Sequence, residues 1–265
     1  MKNFLRLILG RCKSFLSNSG LVRSLVLFQH KLVPMPLVMF DWIFRSGFRR
    51  RIFDFYGSSI AKNFYNNRGS NQLNFWLSKE SLYWHFWRQT DTNDRVLAEI
   101  LSLDQIKKKF ETDGLVVAEL GFGMGKNYAK FLRPNNFKKY IAVEPNTYLC
   151  DYVSRKFESD KNLEVVNSSA IDFVNYKRKI DVLLCSGGVL MYLDKIAIDA
   201  VFCSLATSGA NTLIILNEGT WTEDISREDG TTMYNFKKRL IELGFEKTFI
   251  ENQKAEGIYS YFVMC

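Results

Sequence analysis

From residue 115 onward, short apolar runs alternate with stretches whose apolar residues recur at helical spacing. Leu115–Leu120, Tyr140–Val143, Leu163–Asn167, Ile180–Cys185 and Thr212–Leu216 read as strands. Lys126–Leu132, Thr147–Glu158 and Ile196–Thr207 read as the helices between them. Continuous apolar strands separated by helices indicate βαβ units, hence a mostly parallel sheet covered by helices on both faces. After the fifth strand the alternation changes. A helix at Asn235–Leu243 leads through Gly244 to two strands, Phe245–Glu251 and Ile258–Met264, joined by a short turn around Ala255–Gly257. So short a connection makes a hairpin, which requires the final strand to run antiparallel.

Upstream, Val96, Leu97, Ile100, Leu101 and Ile106 predict one helix over Asp94–Phe110, with Lys107, Lys108 and Lys109 at its C-terminal end, where positive charge suits the helix dipole. Residues 54 to 90 are crowded with aromatics, among them Phe75, Trp76, Tyr83, Trp84, Phe86 and Trp87. The chain is therefore expected to divide into a basic N-terminal segment, 1–53, an aromatic-rich helical cap, 54–112, and an α/β core, 113–265.

Charge sharpens that division. The 265 residues carry a formal net charge of +8, but residues 1–53 hold ten basic side chains against Asp41, leaving the rest of the chain near −1. Basicity thus belongs to the N-terminus, which weakens a reading of the whole fold as a nucleic-acid binder. Within 1–53, Phe4, Leu5, Ile8, Leu9, Cys12, Phe15 and Leu16 share one helical face, opposite Lys2, Arg6 and Lys13. Such a helix could be an extension packed on the body, an interfacial helix on anionic lipid with Arg49–Arg51 as a further anchor, or a mitochondrial presequence. No run approaches the roughly 18 apolar residues of a membrane span. Five cysteines lie far apart with no CxxC pair, which argues against zinc or a disulfide framework and suits a reducing cytoplasm.

The chemistry is expected between the first strand and the next helix, at Glu119-Leu120-Gly121-Phe122-Gly123-Met124-Gly125. Glycines there permit positive φ and close approach of backbone to a ligand. A dinucleotide site would place its third glycine at 126 to seat a pyrophosphate on the helix. Position 126 is Lys, and the GxGxG spacing with an acid two residues ahead suits a nucleoside ligand without phosphate. Glu144, 19 residues after Gly125 at the end of the second strand, can accept hydrogen bonds from ribose hydroxyls.

In these features the stretch from about Asp113 to Cys265 resembles the class I methyltransferases that use S-adenosyl-L-methionine. The resemblance implies a Rossmann-like, seven-stranded, mostly parallel sheet with the last strand inserted antiparallel. It implies that Glu119, Gly121, Phe122, Gly123 and Gly125 border the methionine and adenosine portions of the donor, and that Glu144 takes the ribose. Family members often place an Asp and a small residue beside the adenine after the third strand; Ser169 and Ala170 stand there, with Asp172 as a substitute or a helix-starting residue. Asp181-Val182-Leu183-Leu184-Cys185-Ser186-Gly187-Gly188-Val189-Leu190-Met191-Tyr192-Leu193 resembles the family's segment bordering the sulfonium and the acceptor, and Ile241-Glu242-Leu243-Gly244-Phe245 its late helix-to-strand turn.

The Asn/Asp-Pro-Pro-Tyr/Phe motif of exocyclic-amine methylation and the Pro-Cys motif of cytosine C5 methylation are both missing. A small-molecule or glycan hydroxyl is the favoured acceptor, with RNA methylation and non-catalytic donor binding as alternatives. For proton removal the candidates are His85, amid four aromatics, and Glu218, just after the fifth strand.

Overall fold

The computed structural model describes residues 72–78, 81, 85, 97–133, 137–174, 179–207, 212–217, 223–227, 230–245, 247–255 and 258–264. All belong to one unit, Asn67–Cys265. The basic segment 1–53, the aromatics Tyr83, Trp84, Phe86 and Trp87, and Glu218 lie outside the described residues.

Seven strands form the main sheet: β1 (Val116–Leu120), β2 (Lys139–Glu144), β3 (Leu163–Asn167), β4 (Val182–Ser186), β5 (Leu213–Asn217), β6 (Lys247–Ala255) and β7 (Ile258–Met264). Their spatial order is β3-β2-β1-β4-β5-β7-β6. The first five pair in parallel, and β7 enters antiparallel between β5 and β6, as the terminal hairpin requires. Burial explains why apolar runs replaced alternation: β1, β4 and β5 are almost wholly buried.

Successive side chains leave opposite faces of a strand, so each strand feeds two cores. Ala118, Leu120, Ile141, Val143, Leu183, Cys185, Ile214 and Leu216 share one cluster with Ile198, Val201, Phe202, Phe236 and Leu240. Val117, Tyr140, Ala142, Val182, Leu184 and Ile215 pack on the other face with Leu97, Ile100, Ile106, Leu132, Val153 and Phe157. By the same parity Glu119 and Glu144 leave the sheet on the Tyr140 face.

The helices are α1 (Gln72–Leu77), α2 (Asp104–Phe110), α3 (Thr147–Lys156), α4 (Ala170–Val174), α5 (Lys195–Thr207) and α6 (Phe236–Glu242). The single helix expected over Asp94–Phe110 is broken. Residues 97–101 are helical, and Leu103 is extended at ψ 135° before α2 begins. The Ser102 hydroxyl donates to the Glu99 carbonyl at 2.7 Å, the local bond by which serine competes with a helix. The helix expected at Lys126–Leu132 is wound wide over Tyr128–Leu132, where the Arg133 amide reaches back five residues to the Tyr128 carbonyl at 2.8 Å. A two-residue pair, Ile225–Ser226 with Thr232–Met233, was not expected from the pattern, being too short to show a period, whereas α4 forms where Asp172 reads as a helix-starting residue. Among the described residues, no helix is long and apolar enough to cross a membrane.

Candidate active site

The C-terminal edge of the sheet gathers the loop after β1, Glu144 at the end of β2, Asn167 at the end of β3, Ser186 at the end of β4 and Asn217 at the end of β5. Between β1 and β4 the strand order reverses, the place where open α/β sheets leave a crevice. Gly121, Gly123 and Gly125 all have positive φ, 68°, 55° and 70°. Each is also closely covered. A Cβ on Gly121 would lie 2.2 Å from Val189 Cγ2, and one on Gly125 2.7 Å from Phe122 Cε1 and 2.8 Å from Phe157 Cε2. On Gly123 the neighbour is His85, with Cε1 3.1 Å from such a Cβ. The loop is tied down by the Gly121 and Phe122 amides, which donate to the Val143 carbonyl at 2.9 and 3.2 Å, and by Lys156, which donates to the Met124 carbonyl at 3.0 Å.

Glu144 is 7% exposed and joins two loops: Oε2 accepts from the Gly123 amide at 2.9 Å and Oε1 from the Asn146 amide at 3.0 Å. Its pKa is raised because burial outweighs these two bonds. Glu119, 1% exposed, accepts from Tyr140 Oη at 2.7 Å and Asn127 Nδ2 at 2.6 Å. Burial pushes it up to about 7 against the opposing pull of those donors, with the Glu144 charge adding to the rise. Each carboxylate oxygen keeps a second lone pair for a ligand donor. Phe122 turns inward, 4% exposed against Tyr128 and Tyr140, with its ring beneath Gly125.

Ser169 caps α4: its hydroxyl donates to Asp172 Oδ2 at 2.6 Å and accepts from the Asp172 amide at 3.1 Å. Asp172 is thereby committed to the helix start, and Ala170 is buried behind it. Ser186 accepts from Asn217 Nδ2 at 3.0 Å, and Gly187 and Gly188 follow with φ of 102° and 87°. His85 sits half-buried against Trp76, ring centres 5.7 Å apart, and burial lowers its pKa to about 4. Trp76 in turn meets Tyr192 edge-on at 6.0 Å.

The structure thus brings Gly121, Gly123, Glu144 and His85 together. It also brings in three residues that the sequence reading missed, Asn127, Asn146 and Asn217, and joins Trp76 of the aromatic-rich cap to Tyr192 of the segment after β4. Asn146 had a legible signal, an Asn directly before an apolar-periodic helix, and it does cap α3, accepting from the Tyr148 and Leu149 amides. Asn127 and Asn217 had none, because their partners Glu119 and Ser186 are brought close by tertiary packing.

No family model matches the chain, and no curated protein does. Solved structures do. DhpI in its complex with SAH aligns over 74% of this chain and 95% of its own, at 15% identity and a TM-score of 0.51. A SAM-dependent methyltransferase from Leishmania major aligns over 65% of this chain and 70% of its own, at 11% identity and a TM-score of 0.48. Magnesium protoporphyrin IX methyltransferase from Synechocystis, with bound SAM, aligns over 80% and 93%, at 14% identity and a TM-score of 0.46. The DhpI alignment, together with the strand order and the antiparallel β7, shows the class I methyltransferase-like fold.

Proposed function

We propose that the protein is a methyltransferase that uses S-adenosyl-L-methionine and acts on a small-molecule or glycan hydroxyl. One observation carries the donor reading: the Gly123 amide donates to Glu144, making the positive-φ loop and the acid of β2 one wall at the point where the strand order reverses. The donor supplies a methyl group on a sulfonium, so the protein's task is alignment and control of a proton.

The residues fit that ligand. Glu144 keeps lone pairs for two ribose hydroxyls, and Glu119 supplies a buried negative charge for the methionyl ammonium when ionised. The backbones of Ser169 and Ala170, at the start of α4, border the adenine. Ser186 with Gly187 and Gly188 leaves room for the acceptor. His85, with its pKa near 4, is neutral at pH 7 and adds no positive charge beside a sulfonium. The same burial that lowers its pKa weakens it as a base. Its fitting role is to accept a hydrogen bond from the acceptor hydroxyl, with Glu218 as the remaining candidate for full proton removal.

Calorimetry with S-adenosyl-L-methionine tests the donor site. Incubation of the full chain with methyl-labelled donor and separate glycan, small-molecule and RNA pools tests the acceptor. Label in glycan or small molecules is expected; label in RNA alone refutes the hydroxyl reading, and binding without transfer to any pool makes the protein a donor-binding one.

A further inference from the structure

Asn146 is fully buried and uses both ends of its side-chain amide. Its Oδ1 faces the first amides of α3. Its Nδ2 faces the opposite way, toward the segment that carries α1, and donates to the Trp76 carbonyl at 2.6 Å, the Ser78 carbonyl at 2.9 Å and Ser81 Oγ at 2.7 Å. Two hydrogens are shared over three acceptors. Ser81, also fully buried, passes its own hydroxyl hydrogen back to the Trp76 and Ser78 carbonyls, both at 3.0 Å. One asparagine thus holds the carbonyl-rich end of α1 against the end of β2.

The backbone of that asparagine is held by Glu144, whose other oxygen holds Gly123. Gly123 is the residue on which His85 rests, and His85 stands beside Trp76. The contacts close a ring: Glu144 to Asn146, Asn146 to Trp76, Trp76 to His85, His85 to Gly123, and Gly123 back to Glu144.

We propose that Asn146 is a positioning residue that latches the segment bearing Trp76 and His85 over the donor site, so that donor binding and docking of that segment stabilise each other. This rests on the donor reading above. A ligand that orders Glu144 and Gly123 orders two of the ring's five members, and by linkage the docked segment must then raise donor affinity by the same factor. The Asn146 side chain is fully buried and bonded to α3 and to the α1 segment, so it acts through the segment it holds.

Asn146→Ser separates the latch from the helix cap, because a serine oxygen still caps α3 but supplies one hydrogen in place of two and reaches less far. Ser81→Ala removes a partner from the opposite side and leaves β2 and α3 untouched. Hydrogen exchange of residues 72–78 is measured in the full chain with and without S-adenosyl-L-methionine, beside calorimetry for the same ligand. The expected result is about tenfold faster exchange of 72–78 in Asn146→Ser without ligand, a smaller change of the same sign in Ser81→Ala, ligand-induced protection of 72–78 in the wild type that both variants lose in part, and a donor Kd raised about tenfold in Asn146→Ser. Wild-type exchange rates at 72–78 in both variants would overturn the latch. Faster exchange with an unchanged donor Kd would overturn the coupling. Absence of donor binding to the wild type would refute the functional reading and the coupling with it, an outcome distinct from either of the others because the calorimetry of the wild type reads it alone.

Discussion

Gly121→Ala and Gly114→Ala make a matched pair that separates two demands a glycine can meet. Both residues have positive φ, 68° and 79°. A left-handed conformation costs a residue with a Cβ roughly 1–2 kcal/mol, so Gly114→Ala, which has nothing within 4 Å of the new methyl group, should lose about that much and no more. At Gly121 the same methyl group would lie 2.2 Å from Val189 Cγ2, where carbon atoms prefer about 3.5–4 Å. Overpacking typically adds about 1–3 kcal/mol, so Gly121→Ala should cost about 2–5 kcal/mol in all. Val189→Ala removes both clashing methyl groups. In a double-mutant cycle it should return the overpacking part of the Gly121→Ala loss and leave the conformational part. Urea unfolding of the four proteins reads the stabilities, and calorimetry reads the donor site. Equal losses at Gly114 and Gly121, or zero coupling between Gly121 and Val189, would show that the loop is not pressed against the segment after β4 and would remove the steric basis of the site.

Four further outcomes follow from the buried titratable and charged groups. Glu119 has a folded pKa near 7, above its ordinary 4.5, so the folded state holds the extra proton and stability falls as pH rises from about 4.5 through 7; Glu119→Gln should flatten that fall, which amounts to roughly 3 kcal/mol, in urea titrations at pH 5 and pH 8. If its ionised form receives the donor's ammonium, donor affinity should rise between pH 6 and pH 8 in the wild type and stay level in Glu119→Gln by calorimetry. His85 shifts the opposite way, to about 4 from 6.5: the unfolded chain takes up the proton first, so its contribution is lost as pH falls from 6.5 through 4, and His85→Asn should show a shallower acid loss in that window. Arg239, 5% exposed, donates to Asp199 at 2.9 Å and to Asp224, and stacks on Tyr234; Arg239→Met should cost about 1–3 kcal/mol in urea unfolding, below the usual loss for a buried pair because both acids are more than a third exposed. A loss under 0.5 kcal/mol would make it an ordinary surface pair.

The sheet and the glycine loop after β1 were legible in the sequence, because those depend on local pattern. Apolar runs bounded by polar turns located β1 to β5, and a hairpin too short to cross over made β7 antiparallel. The three glycines were legible because positive φ is a property of single residues. Where the pattern failed, a local competitor had won: the Ser102 hydroxyl split the helix before β1, and Arg133 widened the one after it. Tertiary structure alone decided what the glycines are packed against and what the acids hold. Val189 covers Gly121, His85 rests on Gly123, and Asn146 reaches Trp76, Ser78 and Ser81 across 65 to 70 residues of chain. Periodicity shows which face of an element is apolar, but carries no record of which distant polar atom a buried amide or carboxylate will meet. Only the closing of the sheet and its helices brings those partners within hydrogen-bonding distance.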